Sequence, residues 1–442
     1  MPSIAELKSK VCQEIYRRSE EIIGVANTIL QNPEPGFREL KTSHLVAQKF
    51  VELGITYRDG IALTGVKGIV RGGNNGPTIA VLGELDSLIV SDHPKADLQT
   101  GAAHACGHHA QIGMLFAVAA ALAKSEVLPF LNGNVALMAV PAEEYIEIEF
   151  RNTLRKEGKI SFLGGKAELI KLGEFDDVDM AMMTHNTSVA AMKKLTVGGT
   201  NNGMVAKQIR FIGRSSHAGG APHQGINALN AAMIALTAIH AQRETFRDDD
   251  TVRVHPIITK GGETVNIIPA DVRMETYVRG KNLEAITDAS NKVDRALRAG
   301  ALAVGGRVQI TTLPGYLPII NNSDLVDLYK INASALVGPE EMGQASHRTG
   351  STDMGDVSQI MPVIHPYAGG AVGTSHGNDY LIKDYQTAVI NPAKAMAMMV
   401  IDLLADGAAK AKKVINNSKP NMTRQKYVSL LESQIIEEEY DN

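Results

Sequence analysis

Three stretches of this chain are apolar on both sides: TIAVLGELDSL (78–88), NVALMAVPAEE (134–144) and VDMAMMTHN (178–186). A strand with one wet face alternates apolar and polar residues, whereas a strand covered on both faces reads as one apolar run. Runs of this kind require a mostly parallel sheet sandwiched by helices. Helical patterns supply the cover. AELKSKVCQEIYRRSEEIIGVANTIL (5–30) repeats apolar residues at three-and-four spacing, and SHLVAQKFVELG (43–54) ends on glycine. Residues 110–123 and KAELIKLG (166–173) fall between the strands.

Near Thr196 the texture changes. MVAKQIRFIG (204–213) reads as a strand and GINALNAAMIALTAIHAQRE (225–244) as a long helix. VRVHPIITKGG and VNIIPADVRMETYVRG supply strands, NLEAITDASNKVDRALRAGALAVG a second helix, and RVQITTL a last strand. The order β-α-β-β-α-β is the ferredoxin-like split βαβ pattern. After residue 320 the α/β texture returns, with a long apolar helix in YQTAVINPAKAMAMMVIDLLADG (385–407). The predicted fold is α/β: one domain with a mostly parallel sheet, residues 1–196 and 313–408, interrupted by a ferredoxin-like domain over 197–312. The remaining 409–442 mixes charge and apolar groups and reads as a C-terminal tail or surface helix.

The chain has 442 residues and a net charge of -4, with no basic or aromatic-laced stretch, which argues against nucleic acid as a partner. Only two cysteines, Cys12 and Cys106, are present, so no disulfide framework is expected and a reducing compartment fits. The N-terminus is charged and lacks a signal-peptide core, and the most apolar segments, 112–123 and 393–405, are too short or interrupted to span a bilayer. The expected setting is the cytoplasm, away from membranes.

Potential chemistry concentrates at strand ends. HACGHHAQIGMLFAVAAAL (104–122) crowds Cys106 and His108 against the start of an apolar helix, where the helix N-terminus favours a thiolate. Glu143 and Glu144 follow an apolar strand, where such sheets place their sites. Adjacent carboxylates repel unless a cation or proton separates them, so one suits a metal and the other a water proton. Asp86 ends another strand and can orient a metal-bound imidazole. His185 ends a third, and His376 sits in a glycine-rich loop. Thiolate, imidazole and carboxylate together suit zinc or manganese, and also cobalt or nickel. The same residues allow a rival chemistry, Cys106 as a thiol nucleophile beside a histidine; the glutamate pair favours metal. A binding protein without catalysis is a third reading, and it predicts no dependence on divalent metal.

The ordered set NPEPGFRE, GELDSL, HACGHHA, PAEE, GRSSHAGGAPHQGINAL, GGETVNIIPADVRMETYVRG and STDMGDVS resembles the M20 metallopeptidase family, nearest to its aminobenzoyl-glutamate hydrolase-like and aminoacylase-like branch, over about residues 10 to 408. The resemblance implies a metal-dependent amidohydrolase that cleaves the C–N bond of a small N-acyl or aryl amino acid, with one or two divalent metals per chain. It implies that Cys106 bridges two metals, with His108, Glu144, His185 and His376 as the other ligands. Glu143 is then the general base and Asp86 the group that orients a ligand. The inserted domain is then a dimerisation unit, whose His217 reaches the partner's site to stabilise the oxyanion, while Asn266 and Arg279 contact a carboxylate-bearing substrate. A homodimer or higher homo-oligomer is implied.

One departure stands out. Relatives usually carry CGHD followed by a second histidine, whereas here His109 takes the fourth place and Gln111 the later one. His109 is therefore expected near the substrate. The same departure keeps open the hydrolytic deamination of an activated aromatic amine.

Overall fold

Alternate residues of the two central apolar strands pack into two different cores, which is why neither shows a polar face. A computed structural model describes residues 2–441. In the strand Asn74–Glu84, Ile79 and Val81 enter one core while Ala80 and Leu82 enter the other. In the strand Asn132–Val140, Val135, Leu137 and Ala139 face the first core and Ala136, Met138 and Val140 the second. This is the two-residue side-chain period of a strand buried on both faces.

The central sheet has six strands in the order Thr56–Ile61, Gly65–Arg71, Asn132–Val140, Asn74–Glu84, Met180–Met182, Val363–Ile364. The last four run parallel and the first two form an antiparallel edge. The fold is therefore α/β with a mostly parallel sheet. On one face the helix His108–Lys124 is buried along its length from His108 to Leu122. A helix apolar all round has to be enclosed, and helices Ile4–Arg17, Ser19–Leu30 and Asn391–Leu404 enclose it. The stretch Gln386–Leu404 is long and apolar enough to cross a membrane, yet 89% of its apolar window is buried inside the protein, as in a core helix.

The second sheet is antiparallel, in the order Arg253–Val254, Asp271–Gly280, Gly203–Ile212, Arg307–Pro314, Ile436–Tyr440, with Ile257–Lys260 also pairing with Asp271–Gly280. Helices Ala228–Ala241 and Leu283–Val304 cover one face. The strand Asp271–Gly280 alternates strictly between buried and half-buried residues, as a one-sided sheet requires.

The segment 409–442, expected as a tail or surface helix, is built differently. It forms helices Ala409–Asn417 and Arg424–Ser433, and Tyr427 and Leu431 of the latter are buried in the second core of the α/β domain. It then closes the second, antiparallel sheet, the satellite sheet, with the strand Ile436–Tyr440, in register from Thr312↔Ile436 to Val308↔Tyr440. The apolar positions Tyr427, Val428, Leu430 and Leu431 account for the burial.

Between the domains three tyrosines stack edge to face. Tyr145 meets Tyr277 at 6.2 Å and Tyr316 at 5.5 Å. Tyr145 Oη donates to Pro314 O at 2.7 Å, and Tyr277 Oη donates to Tyr145 O. The joint thus includes Tyr145, the residue that follows Glu144.

Candidate metal centre and cleft

A cleft of about 820 Å³ lies between the elements of the two sheets, with Cys106, Glu143, Glu144, His185 and His376 on the wall of the α/β sheet and Arg253, Tyr277 and Arg279 on the wall of the satellite sheet. The α/β wall is made of strand ends and of the start of one helix, the positions where side chains from separate elements can converge.

Cys106 lies immediately before the buried helix. Gly107 makes the turn with φ of +103°, and a Cβ there would come within 2.9 Å of Tyr380 Oη, so only glycine fits. The turn aims the thiol at the cleft and lets His108 start the helix. His108 Nδ1 donates to Asp86 O at 2.9 Å and lies 3.2 Å from Asp86 Oδ1. Asp86 Oδ2 accepts from the Glu144 N–H at 2.9 Å. One aspartate thus fixes the imidazole and the glutamate turn together, leaving His108 Nε2 for the site.

The glutamate turn is braced from behind. Ala142 adopts φ of +53°, a left-handed conformation unusual for a residue with a Cβ. Its N–H donates to buried Glu39 at 2.7 Å, and its carbonyl accepts from Gly165 and Arg151. Tyr316 Oη donates to Glu143 O. His185 Nδ1 donates to Asn186 O at 2.7 Å, which turns Nε2 toward Cys106 Sγ at 3.3 Å. His376, also left-handed at φ of +64°, is docked by its N–H on Ala105 O and places Nε2 3.5 Å from Glu144 Oε1.

Two groups of three ligand atoms result, Cys106–His108–His185 and Cys106–Glu144–His376, each within 4.8 Å internally. They share Cys106. The donors fit divalent cations such as zinc or manganese. Glu144 Oε1 and His108 Nε2 are buried and make no well-aligned hydrogen bond; each faces only an ionisable neighbour, His376 Nε2 at 3.5 Å and Glu84 Oε2 at 3.0 Å, an arrangement a shared cation would satisfy.

The neighbouring carboxyls are driven apart. Burial, then Glu84 and Glu144, raise Glu143 well above the ordinary carboxylate range. Burial also works to raise Glu144, but His376 and His108 outweigh it and hold it low. Such a split suits a proton carrier beside a ligand.

A third convergent group, Glu84–His108–Glu143, was passed over in the sequence. Glu84 Oε2 lies 3.0 Å from His108 Nε2, and its Oε1 accepts from Lys166 Nζ at 2.6 Å. Lys166 also pairs with Asp353, and all three side chains are wholly buried. The only signal was an acid inside an apolar run, and it lay two residues from the Asp86 that drew attention.

The remaining predicted residues divide. Arg279 lines the cleft, its guanidinium 5.1 Å from the centre of the Tyr277 ring. His217 and Asn266 do not reach it within one chain. They sit together at an exposed edge of the satellite domain, where the Ala218 N–H donates to Asn266 O and His217 Nδ1 accepts from Gly219 and Gly220. His109, expected near substrate, is instead a core residue. Successive helical residues point about 100° apart, so with His108 facing the site His109 turns inward. There it meets the His104 ring at 5.2 Å and Tyr385 Oη at 3.4 Å.

Residues 80–391 match the model of peptidase family M20/M25/M40. The chain is 31% identical to the Xaa-Arg dipeptidase of Mus musculus over 314 residues, 68% of this chain and 67% of that one. It superposes on an M20-family dinuclear metal-binding peptidase from Bacillus subtilis with a TM-score of 0.62 at 20% identity, covering 87% of this chain and 98% of the other. An aminobenzoyl-glutamate utilization protein from Klebsiella pneumoniae gives a TM-score of 0.66 at 16% identity, with 88% and 98% covered.

Proposed function

The chain belongs to peptidase family M20/M25/M40 and is a hydrolase of C–N bonds, and on that premise we propose that it is a dinuclear amidohydrolase acting on small N-acyl amino acids that bear a carboxylate. An aminobenzoyl-glutamate-like compound is the leading candidate. The observation that carries this reading is the pair of ligand groups joined at Cys106. His108 and His185 complete one group, Glu144 and His376 the other, and zinc or manganese is the expected metal.

When bound, the cations supply Lewis acidity toward the scissile carbonyl and make water more acidic. Glu143, beside both groups but in neither of those sharing Cys106, takes the proton from the attacking water. It then delivers that proton to the leaving nitrogen. Asp86 holds His108 in the tautomer that leaves Nε2 free. Arg279 meets a substrate carboxylate from the satellite wall.

His217 and Asn266 enter the reaction only if a second copy brings them to the cleft. Their edge also carries Val265, fully exposed, and Ile267 at 42% exposure, so a homodimer through this domain would cover apolar surface. His217 of that second copy then stabilises the oxyanion. Two free cysteines fit a reducing, cytoplasmic setting.

The environment of Cys106 weighs against a thiol nucleophile. Burial and Glu144 push its thiol well up, whereas nucleophilic cysteines occupy electropositive pockets. The deciding experiment is metal analysis with stripping and restoration, following amine release from N-acyl amino acids and para-aminobenzoyl-glutamate. About two metals per chain with restorable cleavage is the expected result. Full activity after chelation would overturn it.

A further inference from the structure

Three polar side-chain atoms on the cleft wall, belonging to two residues, lack a hydrogen-bond partner in the protein. His365 is 2% exposed, and neither of its ring nitrogens makes a hydrogen bond. Arg348 Nη1 is enclosed without an acceptor, and among the described residues no carboxylate pairs with this guanidinium. Both residues line the cleft.

Their positions are fixed from behind. The His365 N–H donates to Asn321 Oδ1 at 2.8 Å. The Arg348 N–H donates to Thr200 O at 2.8 Å, and Arg348 O accepts from the Asn202 N–H at 3.1 Å. Tyr367 is a platform for both: Arg348 Cζ stands 4.4 Å above its ring centre, and the His365 ring meets it edge-on at 5.0 Å. An enclosed polar group without a partner is destabilising. Two of them held rigidly on one cavity wall mark the place where a ligand supplies the missing acceptor.

The donors define that ligand. A guanidinium only donates, and its planar fork matches a carboxylate. The His365 imidazole offers an N–H in any protonation state, and its ring lies 6.1 Å from that of His185. Arg253 and Arg279 lie across the cleft on the satellite wall. The cleft therefore has two cationic walls with the candidate metal centre beside them.

We infer that Arg348 and His365, braced by Tyr367, form a second carboxylate-binding subsite, and that the substrate is a dicarboxylate selected by this pair. The inference rests on the amidohydrolase reading. The second carboxylate comes either from the side chain of the amino-acid half or from the acyl half, and the test separates the two.

Metal-restored protein is assayed on two matched pairs. One is para-aminobenzoyl-glutamate against para-aminobenzoyl-glutamine, and the other is para-carboxybenzoyl-alanine against benzoyl-alanine. Wild-type protein is expected to prefer the extra carboxylate in one pair by about 10- to 100-fold in kcat/KM, expressed mainly in KM. The responding pair identifies the half that carries it. Arg348→Met should erase the preference, Arg348→Lys should keep part of it, and His365→Phe should reduce it. Metal content and melting temperature check that each variant folds, and the lysine variant preserves the test if the methionine variant does not. A wild-type enzyme indifferent within both pairs, or a preference intact in Arg348→Met, would overturn the subsite.

If none of the four compounds is cleaved, the amidohydrolase reading fails and calorimetry decides the subsite alone. Tighter binding of glutarate than of glutaramate, lost in Arg348→Met, supports it. Equal binding of the two overturns it.

Discussion

Gln111 and Glu84 hold each other twice: Gln111 Nε2 donates to Glu84 Oε2 at 2.8 Å, and the Glu84 N–H donates to Gln111 Oε1 at 3.1 Å. Gln111 therefore works on the strand behind the candidate metal centre. It fixes the carboxylate that faces His108 Nε2 and Lys166.

This clasp predicts a stability effect. Gln111→Leu leaves the buried N–H of Glu84 without its acceptor and one carboxylate oxygen without a donor. A loss of about 1–3 kcal/mol is expected for an unsatisfied buried group. Chemical denaturation of the metal-free protein reads it directly, and an unchanged midpoint would mean that other groups take over both bonds.

Glu143 is assigned to proton transfer and Glu144 to metal binding. Glu143→Gln keeps the shape of the side chain but cannot accept the proton. Turnover is expected to fall about 10²- to 10⁴-fold, with metal content unchanged. Loss of metal together with activity would move Glu143 into the ligand set.

Cys106 belongs to both ligand groups and His376 to one. Elemental analysis of Cys106→Ala should show depletion at both positions. His376→Ala should lose about one metal per chain and keep the other. Equal stoichiometry in the two variants would argue against a shared thiolate.

Asp402 joins the N-terminal helix to the last core helix. It accepts from Lys410 Nζ at 2.6 Å and Asn332 Nδ2 at 2.8 Å, with Lys8 Nζ 2.5 Å away. Burial works to raise its pKa, but Lys410, Lys8 and Asn332 outweigh it and hold the carboxyl below its ordinary value. A depressed carboxylate contributes stability above the unfolded value of about 3.9 and loses it as pH falls through the folded value. Asp402→Asn should therefore cost about 1–2 kcal/mol near neutrality, reduced because Lys410 is half exposed. The gap between variant and wild type should narrow below about pH 4. Urea titrations at several pH values measure it.

The sheet was readable in the sequence, and the candidate ligands stood out there, for one physical reason. Cys106 stands where an apolar run begins, and Glu144 and His185 where one stops, so polarity at those positions demands an explanation. His376 was found because no core pattern accounted for it. The residues that escaped notice lacked such contrast. Glu84 and Lys166 sit inside or beside apolar elements, and their burial becomes intelligible only when Asp353, far away in sequence, closes the charge balance. Arg348 and His365 come from loop-rich sequence, where no period tells which side chain faces a cavity. The placement of His109 turned on helix phase: His108 could face the site only by sending its neighbour into the core.

The strand Ile436–Tyr440 has a consequence for how the protein is made. Its partner Arg307–Pro314 is synthesised long before it, with the remaining α/β domain between them. Until residue 440 has left the ribosome, the satellite sheet stands with an open edge, and an open edge is a template for pairing with another chain. Arg307, Gln309 and Thr311 line that edge with polar groups, and Glu437 and Glu439 arrive to meet them. Polar side chains along the waiting strand disfavour such pairing, and the docking of Ile436–Tyr440 closes the edge.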